Sequence, residues 1–271
     1  MIEDYSKVDY PKKARDARLA VLKMIHEAES SHIGSNFSCI DILTVLFEHM
    51  NMQKDEFICS KGWVAASVYY FLSEKGVIPK EDLSRYCREG EDVYIGLVEP
   101  QNKWGLRAAG GAVGYGLSFG VGFALSKKLK GEEGTVYVLM SDGEQQVGMV
   151  YESALVAAHH GLNNLVAIID NNHFQATGRP SEVLNIEPLD KKWKSWGWDV
   201  WDINGHNLNQ IRNTLSKAYV YSGLTDKKPA PQVIIANTIK GKGVSFMKDK
   251  LEWHYRNVDA EHYQKARSEI V

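Results

Sequence analysis

The sequence has no long apolar run, few cysteines and almost no net charge. No run of 18 apolar residues occurs among its 271 residues, so we expect no membrane-spanning helix. The first residues, MIEDYSKVDYPKKARDAR, lack an apolar segment, so we expect no secretion signal. Three unevenly spaced cysteines indicate reduced thiols and a cytoplasmic protein rather than a disulfide framework. A net charge of −2 argues against a general nucleic-acid-binding surface.

The length and composition are those of a globular protein with a large core. Apolar residues make up 44% of the chain and charged residues 24%. By length alone the chain could form one or two domains, but it contains no repeat and no low-complexity tract. We therefore expect residues 1–271 to form a single domain. Apolar periodicity predicts helices over 11–29 and 39–50, a turn at 30–35 between them, and a buried strand at 232–236.

A strand–helix–strand pattern lies in the middle of the chain. The apolar run Val136 to Met140 is followed by Ser141-Asp142-Gly143, and the run Leu165 to Ile169 is followed by Asp170-Asn171-Asn172. Small and apolar residues at helical spacing lie between the two runs. The pattern predicts a right-handed crossover between two parallel strands. Both strands end in oxygen-bearing side chains, at the edge where open α/β sheets bind ligands.

Asp142 and Asn172, which lie 30 positions apart, would meet at that edge. One carboxylate, one amide oxygen and a nearby main-chain carbonyl form an oxygen-only ligand set that suits Mg²⁺ or Ca²⁺. The set carries too little charge to hold a bare ion, so we expect a diphosphate to complete the coordination shell. Gly143 leaves room for a phosphate because it has no Cβ. The alternative is an ordinary strand–helix–strand unit with a polar turn.

These residues resemble the thiamine-diphosphate signature, in which GDG is followed some thirty residues later by NN. Nearly the whole sequence is similar to the amino-terminal half of transketolase, in the form where the two halves are separate chains. Ser141 stands in place of the first glycine of the signature. The resemblance implies an α/β fold, a doubly wound parallel sheet with helices on both faces. It also implies thiamine diphosphate and Mg²⁺ (or Ca²⁺) as cofactors, with Asp142, Asn172 and the main-chain carbonyl of Phe174 as metal ligands.

The resemblance also implies which residues serve the reaction. The turn at His32 resembles a family loop whose histidine lies beside thiamine and substrate. His254 stands where split transketolases have a histidine near the diphosphate and the donor, so His32 and His254 are the expected catalytic residues. Lys242 lies in a Gly-Lys-Gly loop after a predicted strand, where it could approach a phosphate. The expected cofactor-binding residues are Gly111, Gly114, Asp142, Gly143, Glu144, Asn172, Phe174, Lys242 and His254.

Plainer interpretations of these residues stay open. A lone loop histidine such as His32 is often only solvated. The glycines of the segment 110–122 would also allow close helix packing, with or without a cofactor. The incomplete glycine fingerprint around Gly114 makes a nicotinamide dehydrogenase the least favoured reading.

Three positions depart from the transketolase pattern. Trp63 and Leu97 stand where the family carries active-site histidines, and Arg107 stands in place of a glutamate. An indole has one N–H donor and cannot take up a proton or bind a phosphate as imidazole can. Three such changes in one pocket would indicate a different donor or acceptor. The alternative for Trp63 is a core tryptophan at a shifted turn.

The function implied by the resemblance is transfer of a two-carbon ketol unit from a ketose to an aldose-type acceptor. In the family, the glutamate that activates thiamine belongs to a pyrimidine-binding domain beyond the segment matched here. We therefore expect a partner subunit that resembles the transketolase carboxyl-terminal half, an α2β2 assembly, and a sugar or sugar-phosphate substrate. Two alternatives stay open: another thiamine-dependent carbon–carbon ligase or lyase of specialised sugar metabolism, and a non-catalytic, cofactor-binding regulatory partner.

Overall fold

The computed structural model describes residues 8–221 and 229–270, and it confirms the expected α/β class. In these ranges the chain forms a five-stranded parallel sheet with the strand order β1-β2-β3-β5-β4. The strands are β1 (Glu56–Cys59), β2 (Val136–Ser141), β3 (Leu165–Asn171), β4 (Asp199–Asn204) and β5 (Gln232–Asn237).

The helices alternate with these strands along the chain. They are α1 (Tyr10–Glu27), α2 (Ile33–His49), α3 (Ala65–Glu74), α4 (Tyr115–Lys130), α5 (Gly148–His159), α6 (Pro180–Val183), α7 (Leu189–Ser195), α8 (Leu208–Tyr221) and α9 (Ala260–Glu269). In the described part of the chain, none of them is long and apolar enough to cross a membrane.

Helix α2 begins at Ile33, so the sequence-based start at Cys39 is wrong and the predicted turn at 30–35 is shorter. The turn ends at His32, whose φ of 68° is left-handed. The carbonyl of His32 then accepts hydrogen bonds from the N–H groups of Ser35 and Asn36, at 3.1 and 3.0 Å. Apolar spacing did not indicate this first turn because several of its residues are polar.

Helices cover both faces of the sheet. Successive side chains of a strand point to opposite faces. Along β2, Val138 and Met140 pack into one apolar cluster with α4 and α5, whereas Tyr137 and Leu139 pack into another with α1, α2 and α3. Both faces of the strand are therefore buried, which explains its uninterrupted apolar sequence.

Helix α2 is buried around its whole circumference from Ile33 to Phe47, yet it is partly polar. Buried polar groups are stable only when hydrogen-bonded. The Asn36 side chain accepts hydrogen bonds from the N–H and hydroxyl of Ser67, at 3.1 and 2.8 Å. Asp41 pairs with Arg18 and His206, each at 2.7 Å. These bonds fix α2 against α1, α3 and the loop that follows β4.

The central strands end at the same level. In the sheet register, Ser141 pairs with Asp170, and Asn171 pairs with Asn237. The residues that follow β1, β2, β3 and β5 consequently lie along one edge of the sheet, which we call the carboxyl edge; they include Ser60, Lys61, Asp142, Asn172 and Thr238.

Gly120 and Gly122 provide a test of how α4 packs on the sheet. A Cβ at Gly120 would lie 2.5 Å from Cγ2 of the buried Val138, whereas one at Gly122 would meet no atom within 4 Å. We expect Gly120→Ala to lower the free energy of unfolding by about 1–3 kcal/mol through overpacking. Gly122→Ala should raise it by about 0.5–1 kcal/mol, because alanine is the better helix former. Urea denaturation measures both values, and equal midpoints would contradict this packing.

Candidate active site

A buried ion pair lies at the centre of the carboxyl edge. Lys61 Nζ contacts Asp170 Oδ2, and the two side chains are 2% and 0% exposed. Asp170 also accepts hydrogen bonds from the hydroxyls of Ser38, at 2.6 Å, and Thr238. Burial works to raise the pKa of Asp170, yet Lys61 and the hydroxyl donors hold it below its ordinary value. Burial likewise works to lower the pKa of Lys61, but Asp170 raises it, so both groups are charged.

Asp142 lies beside this pair and has an oxygen that no other group uses. Its Oδ1 accepts a hydrogen bond from the Gly143 N–H at 2.7 Å, while its buried Oδ2 has no hydrogen-bond partner among the described residues. Burial, and then the nearby Asp170, raise the pKa of Asp142 to about 7; Lys61 and the N–H groups of Gly143 and His173 oppose this shift. A buried carboxylate oxygen without a partner is unfavourable, and a cation would stabilise it.

Asn172 lies at the end of β3, next to Asp170. Its amide nitrogen donates to Asp170 Oδ2 at 3.3 Å, and its Oδ1 accepts from the main-chain N–H of Phe174 at 3.0 Å. The influence of the His173 N–H on the pKa of Asp142 shows that the loop after Asn172 faces the Asp142 carboxylate. The structure thus brings Asp142, Asn172 and Phe174 to one place.

These residues fit a hard divalent cation. Among residues 8–221 and 229–270, no three side chains of His, Cys, Asp or Glu are placed to hold a metal ion. The set at the carboxyl edge requires only one of these residue types, because an amide oxygen and a main-chain carbonyl would complete it. Oxygen donors of this kind are preferred by Mg²⁺ and Ca²⁺. The unpartnered oxygen of Asp142 is the observation that supports the fit.

Glu144 joins the glycine-rich loop before α4 to the carboxyl edge. Its buried carboxylate accepts hydrogen bonds from the Ser60 hydroxyl and from the N–H groups of Gly114, at 2.9 Å, and Ser141, at 3.2 Å. Gly114 has a φ of 92°, and a Cβ there would lie 2.5 Å from Val147 Cγ1, so only glycine fits. Because protein donors occupy its carboxylate, Glu144 would approach a cofactor through the main chain of its loop.

His32 and His254 form an aromatic cluster at the same edge with Trp63 and Tyr255. The ring centroids of His32 and His254 are 4.9 Å apart, and each lies 6.4 Å from that of Trp63. The ring centroid of Tyr255 is 4.7 Å from that of His254. Burial, followed by the charge of Lys240, lowers the pKa of His32 to about 4 and that of His254 to about 3. Both imidazoles are therefore neutral at physiological pH.

Lys240 lies behind this cluster and is fully buried. Its ammonium is 2.8 Å from the Ser35 hydroxyl and 3.0 Å from Nδ1 of His254. Burial, and then the charge of Lys61, lower the pKa of Lys240 to about 7. The contacts made by Lys240 are neutral, so an anion bound at the carboxyl edge would favour its charged form.

The sequence as a whole matches a known family. The family model described as "Transketolase, thiamine diphosphate binding domain" matches residues 11–270. The chain belongs to the transketolase family. It is 36% identical over 262 residues to a subunit of the apulose-4-phosphate transketolase of Phocaeicola vulgatus, covering 93% of this chain and 90% of that protein. It is 30% identical over 272 residues to 6-deoxy-6-sulfo-D-fructose transketolase subunit SqwG of a Clostridium species, covering 97% and 96%.

Solved transketolase structures confirm the fold. The transketolase of Campylobacter jejuni superposes with a TM-score of 0.85 at 25% identity, over 97% of this chain and 43% of that chain. The Leishmania mexicana enzyme gives a TM-score of 0.86 at 22% identity, over 97% and 41%. The chain thus spans less than half the length of these transketolases but nearly all of the two subunits. It corresponds to the amino-terminal subunit of split transketolases.

Lys242, the lysine expected at the cofactor, lies apart from the cluster of His32 and His254. Its side chain lines a groove of about 650 Å³ with His206 and Arg212, next to the amino end of α8. Lys240 takes the place at His254 instead. Neither Lys240 nor the pair of Lys61 and Asp170 was predicted from the sequence. Lys61 and Lys240 follow β1 and β5 next to glycines, and Asp170 lies near the end of β3; these positions were the available indication.

The position of Arg107 corrects the expectation that three pocket positions change together. Its guanidinium contacts the carboxylate of Glu56, with Nε at 3.1 Å from Oε2, and lies 4.8 Å from the ring centroid of Phe123. Glu56 is the first residue of β1, at the opposite end of that strand from Lys61. Arg107 therefore does not line the site, because its charge is neutralised at the amino edge of the sheet.

Trp63 and Leu97, the other two departures, do lie beside the glycine-rich loop. The N–H of Gly62 donates to the carbonyl of Gly110 at 2.9 Å, and the N–H of Val98 donates to the carbonyl of Gly62 at 3.0 Å. A Cβ on Gly111 would lie 3.3 Å from Leu97 Cδ1. The buried Nε1 of Trp63 has no hydrogen-bond partner among the described residues. Both replacements consequently border the glycine-rich loop at Gly110 and Gly111.

The lowered pKa of His32 predicts a pH dependence of stability. The unfolded chain takes up a proton at His32 near pH 6.5, whereas the folded chain does so only near pH 4. The free energy of unfolding should therefore fall as the pH decreases from 6.5 towards 4, by up to about 1.4 kcal/mol per pH unit for this group. His32→Asn, tolerated at a positive φ, should remove this share of the slope in urea titrations between pH 4.5 and 6.5.

His159, an exposed residue at the end of α5, provides the control for this experiment. The variant His159→Asn should keep the pH slope of the unchanged protein. If both asparagine variants had the same slope, the assignment of His32 as a half-buried neutral imidazole would be wrong.

Proposed function

We propose that this chain is the cofactor-binding subunit of a split transketolase, which transfers a two-carbon ketol unit from a ketose to an aldose-type acceptor. The observation that carries the proposal is the unpartnered buried oxygen of Asp142 beside Asn172, at the edge that also holds His32 and His254. In this proposal residues 1–271 act as a single thiamine-diphosphate-binding domain in the cytoplasm.

Asp142, Asn172 and the main-chain carbonyl of Phe174 would hold Mg²⁺ (or Ca²⁺), which in turn would bind the diphosphate. A Cβ at Gly111, Gly114 or Gly143 would meet Leu97, Val147 or Gln175, respectively, so these glycines let the loops around the site pack closely. Lys240 would stabilise a neighbouring anionic oxygen with its unneutralised charge. When bound, thiamine diphosphate supplies a nucleophilic carbon for attack on the ketose carbonyl. The chain's own contribution is to bind the diphosphate, orient the sugar and hold protons at its oxygens.

The two histidines can hold protons at substrate oxygens without carrying a charge. A protonated Lys240 can only donate to Nδ1 of His254, 3.0 Å away; in that state the proton of the neutral ring lies on Nε2 and can be donated to a sugar oxygen. Nδ1 of His32 lies 2.7 Å from the Ser31 hydroxyl, which orients the second ring. Two neutral imidazoles at 4.9 Å can therefore bind neighbouring hydroxyl or carbonyl oxygens of a ketose.

A partner subunit with the pyrimidine-binding domain would complete the site. Three relatives that match this chain over nearly their whole length are named as subunits, whereas the chain spans 41% of human transketolase at 28% identity. We propose a partner similar to the carboxyl-terminal half of transketolase and an α2β2 assembly. The purified chain alone should then show negligible ketol transfer.

The substrate is proposed to be a ketose with a terminal anionic group. One similar subunit is named for apulose-4-phosphate and another for 6-deoxy-6-sulfo-D-fructose. Trp63 and Leu97 border the site with apolar surface where other transketolases have histidines. This apolar border also favours a second candidate, a thiamine-dependent carbon–carbon ligase or lyase acting on an unusual sugar.

Asp142→Asn tests the proposed function. It removes the charge that the cation requires, so we expect at least a roughly 100-fold loss of ketol transfer in the reconstituted pair of subunits. Calorimetric titration with Mg²⁺ and thiamine diphosphate should show a parallel loss of binding. Asp92→Asn, at an exposed position, is the matched control and should change neither. Full binding by Asp142→Asn would refute the site, and absence of binding by the unchanged pair would favour a non-catalytic partner.

Trp63→His tests the origin of substrate choice. Restoring an imidazole should raise kcat/KM for common pentose and hexose phosphates by about 10-fold or more, because it adds a donor and a titratable group. The kcat/KM for a substrate of the kind named for the similar subunits should fall by a similar factor. Trp196→His, at the half-buried end of α7, is the control and should leave the ratio unchanged. An unchanged ratio in Trp63→His would show that Trp63 does not select the substrate.

A further inference from the structure

The hydrogen bonds around Asn172 permit one orientation of its side-chain amide. One end of the amide lies 3.3 Å from Asp170 Oδ2 and 3.2 Å from Ser38 Oγ, and the other end lies 3.0 Å from the Phe174 N–H. An ionised carboxylate only accepts hydrogen bonds, and a main-chain N–H only donates. The NH2 group therefore faces Asp170, and Oδ1 faces away from it, with one lone pair used by Phe174 and the other free.

The groups that impose this orientation are themselves fixed. Ser38 lies on the buried helix α2, and its hydroxyl donates to Asp170 Oδ2 at 2.6 Å. Its oxygen accepts from Asn172 Nδ2 and from Lys61 Nζ, which is 3.3 Å away. Lys61 and Thr238 hold the Asp170 carboxylate from two further segments. Asn172 is thus oriented by a network that is anchored on α2, β1 and β5.

We propose that Ser38 and Asp170, with Lys61 behind them, are positioning residues that aim Asn172 Oδ1 at the divalent cation shared with Asp142. The proposal rests on the cation site of the proposed function and adds residues that do not touch the cation. A reversed amide would present an NH2 group to the cation, and its partial positive charge would repel the ion. The network disfavours this reversal, because a turned amide would place its carbonyl oxygen against the Asp170 carboxylate and its NH2 group against the Phe174 N–H.

The proposal makes an unusual prediction for a carboxylate at position 172. From charge alone, Asn172→Asp should bind a divalent cation more tightly, since a second carboxylate joins the ligand set. The network predicts the opposite result. A carboxylate cannot donate to Asp170, and the two buried negative charges would repel each other. The side chain would turn away or take up a proton, and cation binding would weaken.

Mn²⁺ binding provides the test. The full chain, reconstituted with its partner subunit, is titrated with Mn²⁺ in the presence of thiamine diphosphate, and free Mn²⁺ is measured by electron paramagnetic resonance. Ser38→Ala should weaken binding by about 10-fold, a typical effect of removing a partner of a metal ligand. Asn172→Asp should weaken it by at least as much. Ser73→Ala is the matched control, because Ser73 is also buried and donates to a carbonyl, that of Tyr70, at 2.7 Å.

A second readout reports the orientation directly. The side-chain NH2 signals of Asn172 in nitrogen-15 spectra of the full chain should exchange slowly with solvent and should shift in Ser38→Ala but not in Ser73→Ala. Equal Mn²⁺ affinities of the two alanine variants, or tighter binding by Asn172→Asp, would overturn the positioning role and leave the proposed function intact. Absence of Mn²⁺ binding by the unchanged pair of subunits would overturn both.

Discussion

The carboxylate of Asp170 is the interaction on which the functional edge depends. It is completely buried and accepts hydrogen bonds from Lys61, Ser38, Thr238 and Asn172. These donors come from the end of β1, from α2, from the end of β5 and from the end of β3. A charge buried at this depth is stable only if it is paired and fully hydrogen-bonded. The requirement forces four separate segments to meet at one point, and the neighbouring loops take their positions from it.

The remaining charges at this edge are incompletely balanced, and the imbalance matches the ligands we propose. Asp142 has a buried oxygen without a partner among the described residues, and the buried ammonium of Lys240 contacts neutral groups. The first feature suits a cation and the second an anion. A metal–diphosphate group would supply both at once, whereas either ion alone would leave the other protein charge unneutralised. The two histidines, kept neutral by burial and by Lys240, then face the substrate.

The sequence was sufficient for the parts that follow from local patterns. Parallel strands with equal ends must bring the residues after them together, so the approach of the segments after Ser141 and Asn171 followed from two apolar runs. The pair of Lys61 and Asp170 could not be predicted in this way, since 109 positions separate its members. Lys240 was missed because of the turn at Gly241, which has a φ of 73° and packs on Met247. This turn points Lys240 and Lys242 in different directions. Arg107 was wrongly expected in the substrate pocket, because its guanidinium pairs with the carboxylate of Glu56, the first residue of β1.

Anomalous diffraction from crystals of the chain grown with thiamine diphosphate and Mn²⁺ tests the central claim most directly. The account predicts a single strong Mn²⁺ peak at the carboxyl edge, about 2.0–2.3 Å from Asp142 Oδ2 and Asn172 Oδ1. The Asp170 carboxylate should remain outside the coordination shell. A peak elsewhere, coordination by Asp170 in place of Asn172, or side chains of Asp142 and Asn172 that face apart would contradict it.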